Sequence, residues 1–163
     1  MNNIYLIGMP GCGKSTIGKI ISKEINREFV DLDDYIIEFS GKRIEELFSV
    51  GEAHFRSVET ECLKLVSNMN NLIVATGGGI IETVGNDKIM RSSGTVIFIH
   101  TTPEKIMENS NLDGRPLLAK NKNKVFELFD RRYEKYKSAA DYIVDNLGDI
   151  KDTISKIKDL NCY

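Results

Sequence analysis

The sequence predicts an α/β protein, a three-layer α/β/α sandwich around a five-stranded parallel sheet, and three observations predict it. Short apolar runs alternate with helically periodic stretches along the whole chain, and alternation of this kind covers both faces of a parallel sheet with crossover helices. The first apolar run leads through a glycine-rich loop straight into a helix. At 163 residues, with no internal repeat and no low-complexity linker, the chain is expected to form one domain over residues 1–163 with a substantial core.

The first strand is placed at 3–7, followed by Gly8-Met9-Pro10-Gly11-Cys12-Gly13-Lys14-Ser15-Thr16 and a helix carrying Ile17, Ile20, Ile21 and Ile25. This is the strand–GxxxxGK[ST]–helix arrangement of a phosphate-binding loop. Its glycines let the backbone wrap an anion with several N–H groups pointing inward, and the helix N-terminus adds partial positive charge. Gly11, Cys12, Gly13, Lys14, Ser15 and Thr16 are therefore the candidate residues for a nucleoside triphosphate, with Lys14 supplying a full charge and Ser15 a ligand for Mg²⁺. Cys12 has two readings, a reactive thiol beside Lys14 or a small residue filling a tight turn.

The second strand, 28–31, ends in Phe29-Val30-Asp31-Leu32-Asp33-Asp34. Strand C-termini of an open parallel sheet face the ligand crevice, and extended alternation aims Asp31 and Asp33 the same way. A carboxylate there can accept the proton of an acceptor hydroxyl or hold a water on Mg²⁺. Asp34 is assigned the lesser task of capping the next helix. Residues 32–60 hold more helix than one crossover needs and are read as an acceptor-binding insert. A helix over about 51–69 would bury Phe55, Val58, Cys62, Leu65, Val66 and Met69, with Arg56 at the edge of that face.

The third strand, 72–75, runs into Thr76-Gly77-Gly78-Gly79, a glycine run that permits close backbone approach to a ligand. The fourth strand is placed at 95–99. Residues 109–124 are polar and are read as a lid, in which Arg115 can close on a transferring phosphoryl group. The following helix carries Val125, Leu128, Phe129, Arg132 and Tyr136 on one side, with Arg131 turned about 100° toward solvent. Arg56 and Arg132 together would suit an anionic acceptor, because each guanidinium grips a carboxylate bidentately. A fifth strand at 141–144 and a last helix with Ile150, Ile154, Ile157 and Leu160 complete the chain.

Bulk composition narrows the class. The net charge is only −2 and Lys and Arg are scattered, which argues against a nucleic-acid partner. Three cysteines without metal-like spacing fit a reducing cytoplasm. Neither a signal-like N-terminus nor an apolar run near 18 residues is present, so a cytoplasmic protein without membrane contact is expected. No helix shows a spare apolar face, which favours a monomer.

Five pieces in this order resemble the shikimate kinases over nearly the whole chain: Asp31-Leu32-Asp33, Phe55-Arg56 with Glu59, Ala75-Thr76-Gly77-Gly78-Gly79, Arg115-Pro116-Leu117-Leu118, and Arg132 with Tyr136 and Ala140. The resemblance implies the P-loop kinase fold and transfer of phosphate from ATP to the 3-hydroxyl of shikimate. It implies that Arg56 and Arg132 bind the shikimate carboxylate with help from Gly77, Gly78 and Gly79. Asp33 would orient or activate the hydroxyl, Asp31 would hold Mg²⁺ through water beside Ser15, and Lys14 and Arg115 would stabilise the transferring phosphoryl. Glu59 would fix the rotamer of Arg56. The chain departs from the pattern at Glu108, where a basic residue is expected against adenine; Lys105 is the nearest base, and Leu112 or the loop at Asn146 and Leu147 could serve instead. Other readings are a gluconate-type or nucleoside-monophosphate kinase, or a non-catalytic nucleotide sensor.

Overall fold

The computed structural model, which describes residues 2–112 and 122–161, puts the first strand in the middle of the sheet. β1 (Asn3–Ile7) is buried along its whole length, as a strand covered on both faces must be. β3 (Leu72–Ala75) and β4 (Gly94–His100) flank it, both parallel to it. β2 (Glu28–Asp31) and β5 (Tyr142–Asp145) form the edges, in the order β2-β3-β1-β4-β5. The five strands fall where the apolar runs predict them, to within a residue at each end. Leaving β1, the chain turns to β2 on one side; after β3 it crosses to β4 on the other. That reversal opens a crevice beyond the carboxyl ends of β1 and β3.

Helices cover both faces. α1 (Lys14–Glu24) buries Ile17, Gly18 and Ile21; the Phe29 ring occupies the space beside Gly18, where a Cβ would come within 2.5 Å of Cε2. The insert resolves into α2 (Leu32–Ser40), α3 (Ile44–Val50) and α4 (Glu52–Ser67). A 3₁₀ turn, Ile80–Glu82, follows the glycine run and leads to α5 (Asn86–Ser93). α6 (Pro103–Leu112), α7 (Lys122–Ala139) and α8 (Ile150–Asp159) complete the layers. The two ends of the predicted 109–124 lid are thus helical, while Arg115 and its neighbours lie outside the described residues, as does Cys162. Among the described residues no helix is long and apolar enough to cross a membrane.

Two sequence expectations need correction. The buried stripe of α4 is Phe55, Glu59, Cys62, Leu63 and Val66, whereas Leu65 and Met69 are exposed. The spacing i, i+4, i+7, i+8, i+11 is an uninterrupted helical stripe, and it passes through an acid that a purely apolar reading skips. Asp33 does not lie in extended chain: β2 stops at Asp31, and α2 begins at Leu32. The helix cap is Asp31, whose Oδ1 accepts from the Asp33 N–H at 3.1 Å; Asp34 sits inside the first turn, where its charge still suits the helix dipole.

Candidate active site

The loop between β1 and α1 forms one wall of a cavity of about 270 Å³, lined also by Asp31, Asp33, Thr76, Gly77 and Gly78. Gly11 (φ 80°) and Gly13 (φ 94°) are in the left-handed region, which curls the loop. α1 has no side-chain cap at its start, so its first N–H groups remain as donors for an anion. Lys14 is buried, its Nζ donating to the carbonyls of Gly8 and Met9, both at 2.9 Å. Gly11, Gly13, Ser15 and Thr16 line the cavity with it. Cys12 does not: its N–H is spent on the Met9 carbonyl, and its thiol is buried against Gly8, where a Cβ would lie 2.9 Å from Sγ. The thiol is packed inside the turn, where Lys14 Nζ also donates to its Sγ at 3.5 Å.

Asp31 and Asp33 reach the cavity from the cap and first turn of α2. Ser15 Oγ donates to Asp31 Oδ2 at 2.6 Å, which brings a hydroxyl and a carboxylate, both hard oxygen donors, to one point. Asp33 stands against the glycine run, with Oδ1 only 2.8 Å from where a Cβ on Gly77 would be. Burial raises its pKa above the usual carboxylate value, and the neighbouring charge of Asp31 adds to this, against a lowering by Lys14.

The glycine run is pressed from three sides. A Cβ on Gly78 would meet the Pro10 ring at 2.6 Å, and one on Gly79 would meet Arg56 Nη2 at 2.2 Å. Tyr136, fully buried on α7, donates its hydroxyl to the Gly78 carbonyl. Arg56 lies over the Phe55 ring at 5.1 Å and the Phe48 ring at 5.9 Å, the two rings being stacked. Its Nη1 donates to Glu59 Oε2 at 2.7 Å. Burial raises the Glu59 pKa, while the charge and hydrogen bond of Arg56 oppose that rise and the charge of Arg132 does so more weakly. Arg56 thus lies against Gly79, and Arg132 meets the acid at the end of the turn that follows the run. Arg131 is half-exposed, as its helical offset predicts, yet it is paired.

Sequence reasoning missed that partner. Glu82, at the end of the 3₁₀ turn, accepts from Arg131, Arg132 and Lys135. An acid three residues past the last glycine, facing a helix with three bases within five positions, was the available signal. Asn146 touches the phosphate loop, Nδ2 donating to the Cys12 carbonyl at 3.0 Å. Leu147 is exposed, and Lys105 pairs with Glu108 at 3.7 Å.

A family model described as shikimate kinase matches residues 10–160. The chain belongs to the shikimate kinase family. A shikimate kinase of Clostridium botulinum (strain Alaska E43 / Type E3) is 44% identical over 157 residues, covering 96% of this chain and 95% of the relative. Among solved structures, shikimate kinase from Acinetobacter baumannii in complex with shikimate superposes with a TM-score of 0.89 at 34% identity, covering 98% of this chain and 92% of that one. That from Bacteroides thetaiotaomicron gives 0.90 at 29% identity, covering 98% and 97%. This shikimate kinase family member is thus a phosphotransferase with the P-loop kinase fold, as the motif order implies.

Proposed function

We propose that the protein transfers the γ-phosphoryl group of ATP to the 3-hydroxyl of shikimate, giving shikimate 3-phosphate and ADP for aromatic amino-acid biosynthesis. The observation that carries this reading is the crevice in which the phosphate loop, Asp31 and Asp33 meet beside the glycine run, with Arg56 packed against Gly79. The loop and the N-terminus of α1 hold the triphosphate, and Lys14 leaves its loop carbonyls to neutralise charge on the transferring group. Arg56 and Arg132 grip the acceptor carboxylate, so the ring is held by one end with its hydroxyls toward Asp33. Asp33 accepts the hydrogen bond of the attacking hydroxyl, and its raised pKa brings it closer to the working range of a general base. A loose transition state asks little base strength of it, so aiming the hydroxyl is its main contribution.

Mg²⁺ fits this donor set. Among the described residues no group of three or more His, Cys, Asp or Glu side chains could hold a metal, whereas Ser15 and Asp31 offer two oxygens, the number Mg²⁺ takes from proteins when phosphate and water complete its shell. Asp31 already accepts from Ser15 and caps α2, and it would hold the ion through water beside Ser15. The ion would neutralise phosphate charge. Arg115 is read as the lid residue that closes on the phosphoryl group. We read the chain as a single cytoplasmic domain and a monomer, with α2 to α4 forming the acceptor site.

A coupled ADP-release assay offering shikimate, gluconate, AMP and CMP in parallel tests the reading. Release with shikimate alone is expected, and release with AMP or gluconate but not shikimate overturns it.

A further inference from the structure

We propose that Glu82 is the positioning residue of Arg132: it docks the guanidinium by its Nε edge, so that the terminal nitrogens are presented to the acceptor carboxylate. This rests on the reading of Arg132 as a carboxylate-binding residue. Glu82 ends the turn that begins one residue after Gly79, so its carboxylate rides on the same backbone that forms the acceptor site. Its side chain is 13% exposed and that of Arg132 only 8%. Arg132 Nε donates to Oε1 at 2.7 Å. A guanidinium has five N–H donors in a rigid fork, so fixing the Nε edge fixes where the other four point. Tyr136, one helical turn along α7 from Arg132, donates its hydroxyl to the Gly78 carbonyl. Glu82 and the Gly78 carbonyl, on one segment, are thus each held by a side chain of α7.

The charge balance favours the same role. Glu82 also receives Arg131 on Oε1 at 2.8 Å and Lys135 on Oε2 at 2.7 Å. Three cations against one carboxylate leave positive charge over for an anionic acceptor. Without Glu82 the competing anchor for Arg132 is Glu59, which already feels its charge and whose Oε1 has no hydrogen-bond partner. Swung onto Glu59, Arg132 would no longer present its fork to a ligand.

The experiment is steady-state kinetics on the full chain for E82Q, E82D, R132A and E82Q/R132A, with thermal unfolding of each. E82Q is expected to raise the KM for shikimate roughly 10-fold, as loss of a charge-assisted hydrogen bond implies, with kcat and the KM for ATP within about twofold. E82D keeps the charge but pulls the anchor back by one methylene, and an intermediate rise is expected. In the R132A background E82Q should add nothing. A full additional rise there, equal rises in both KM values, or a wild-type KM in E82Q overturns the proposal. If E82Q does not fold, E82D decides: a wild-type KM for shikimate sinks the idea. An unchanged KM in R132A defeats the acceptor-site reading itself, a result distinct from a normal E82Q beside an impaired R132A.

Discussion

Replacing Arg56 by alanine removes the charged partner of Glu59. Glu59 has a side chain only 1% exposed and meets Arg56 Nη1 at 2.7 Å, while its other oxygen has no partner. Breaking a buried pair from one side costs about 3–5 kcal/mol, because a charge is left uncompensated. The pair of Arg56 with the exposed Glu52 adds almost nothing, and contact with the rings of Phe48 and Phe55 adds about 0.5–1 kcal/mol. The larger part must depend on pH. Burial already holds the native Glu59 pKa above its ordinary 4.5, and Arg56 is the chief opposing influence; its loss drives the pKa higher. A group raised in the fold stabilises it below the unfolded pKa and loses that contribution as pH rises through the folded value. Relative to wild type, R56A should therefore lose only about 1 kcal/mol at low pH, where Glu59 is protonated in both proteins. The deficit should widen to about 3–5 kcal/mol above the raised pKa. Urea unfolding of wild type, R56A, E59Q and R56A/E59Q at pH 5 and pH 8 measures this. A pH-independent deficit, or a double variant no more stable than R56A at pH 8, would refute the reasoning.

Asp33→Asn should depress kcat by about 10²–10⁴-fold while ATP binding, followed by calorimetry, survives. In the wild type, kcat/KM should fall as pH drops through the raised Asp33 value, above the ordinary carboxylate range, and that limb should vanish in the variant. Gly79→Ala puts a Cβ 2.2 Å from Arg56 Nη2 and 2.6 Å from Nη1, the nitrogen that holds Glu59; displacing the guanidinium should raise the KM for shikimate and, by weakening the buried pair, lower the melting temperature. Burial alone would raise the Glu82 pKa, but hydrogen bonds from Lys135, Arg132 and Arg131 outweigh it and hold the group down at about 2. Its stabilising contribution is therefore complete above the ordinary 4.5 and lost as pH falls toward 2. Acid titration of E82Q should show a shallower loss of stability over that range.

Much of the fold was legible because its signals are local. A strand buried on both faces needs a continuous apolar run, and Ile4 to Ile7 and Leu72 to Ala75 are such runs. The phosphate loop was legible for a similar reason: its glycines answer to backbone torsions within the loop. Local reasoning failed where a helix began early. Asp33 was placed by strand alternation, yet Asp31 caps α2 and Asp33 lies in its first turn; both acids still reach the cavity because the helix starts at the sheet edge. The α4 stripe was misread at Leu65 because buried Glu59 has a partner, Arg56, that makes its burial tolerable.

By itself, then, the sequence determined the strands, the phosphate loop, the acids after β2, the glycine run and the two arginines, and the order of these pieces determined the family. Tertiary structure decided which of them meet. Glu82 and Arg132 are 50 residues apart in the chain, and the acid after the glycine run and the cluster of bases on α7 do not by themselves say that they meet. Their 2.7 Å contact exists because the 3₁₀ turn after the glycine run and α7 pack against each other. Pairing of charges across that distance is a property of packed elements, since a Coulomb attraction effective at contact is screened to almost nothing between the same residues in an open chain.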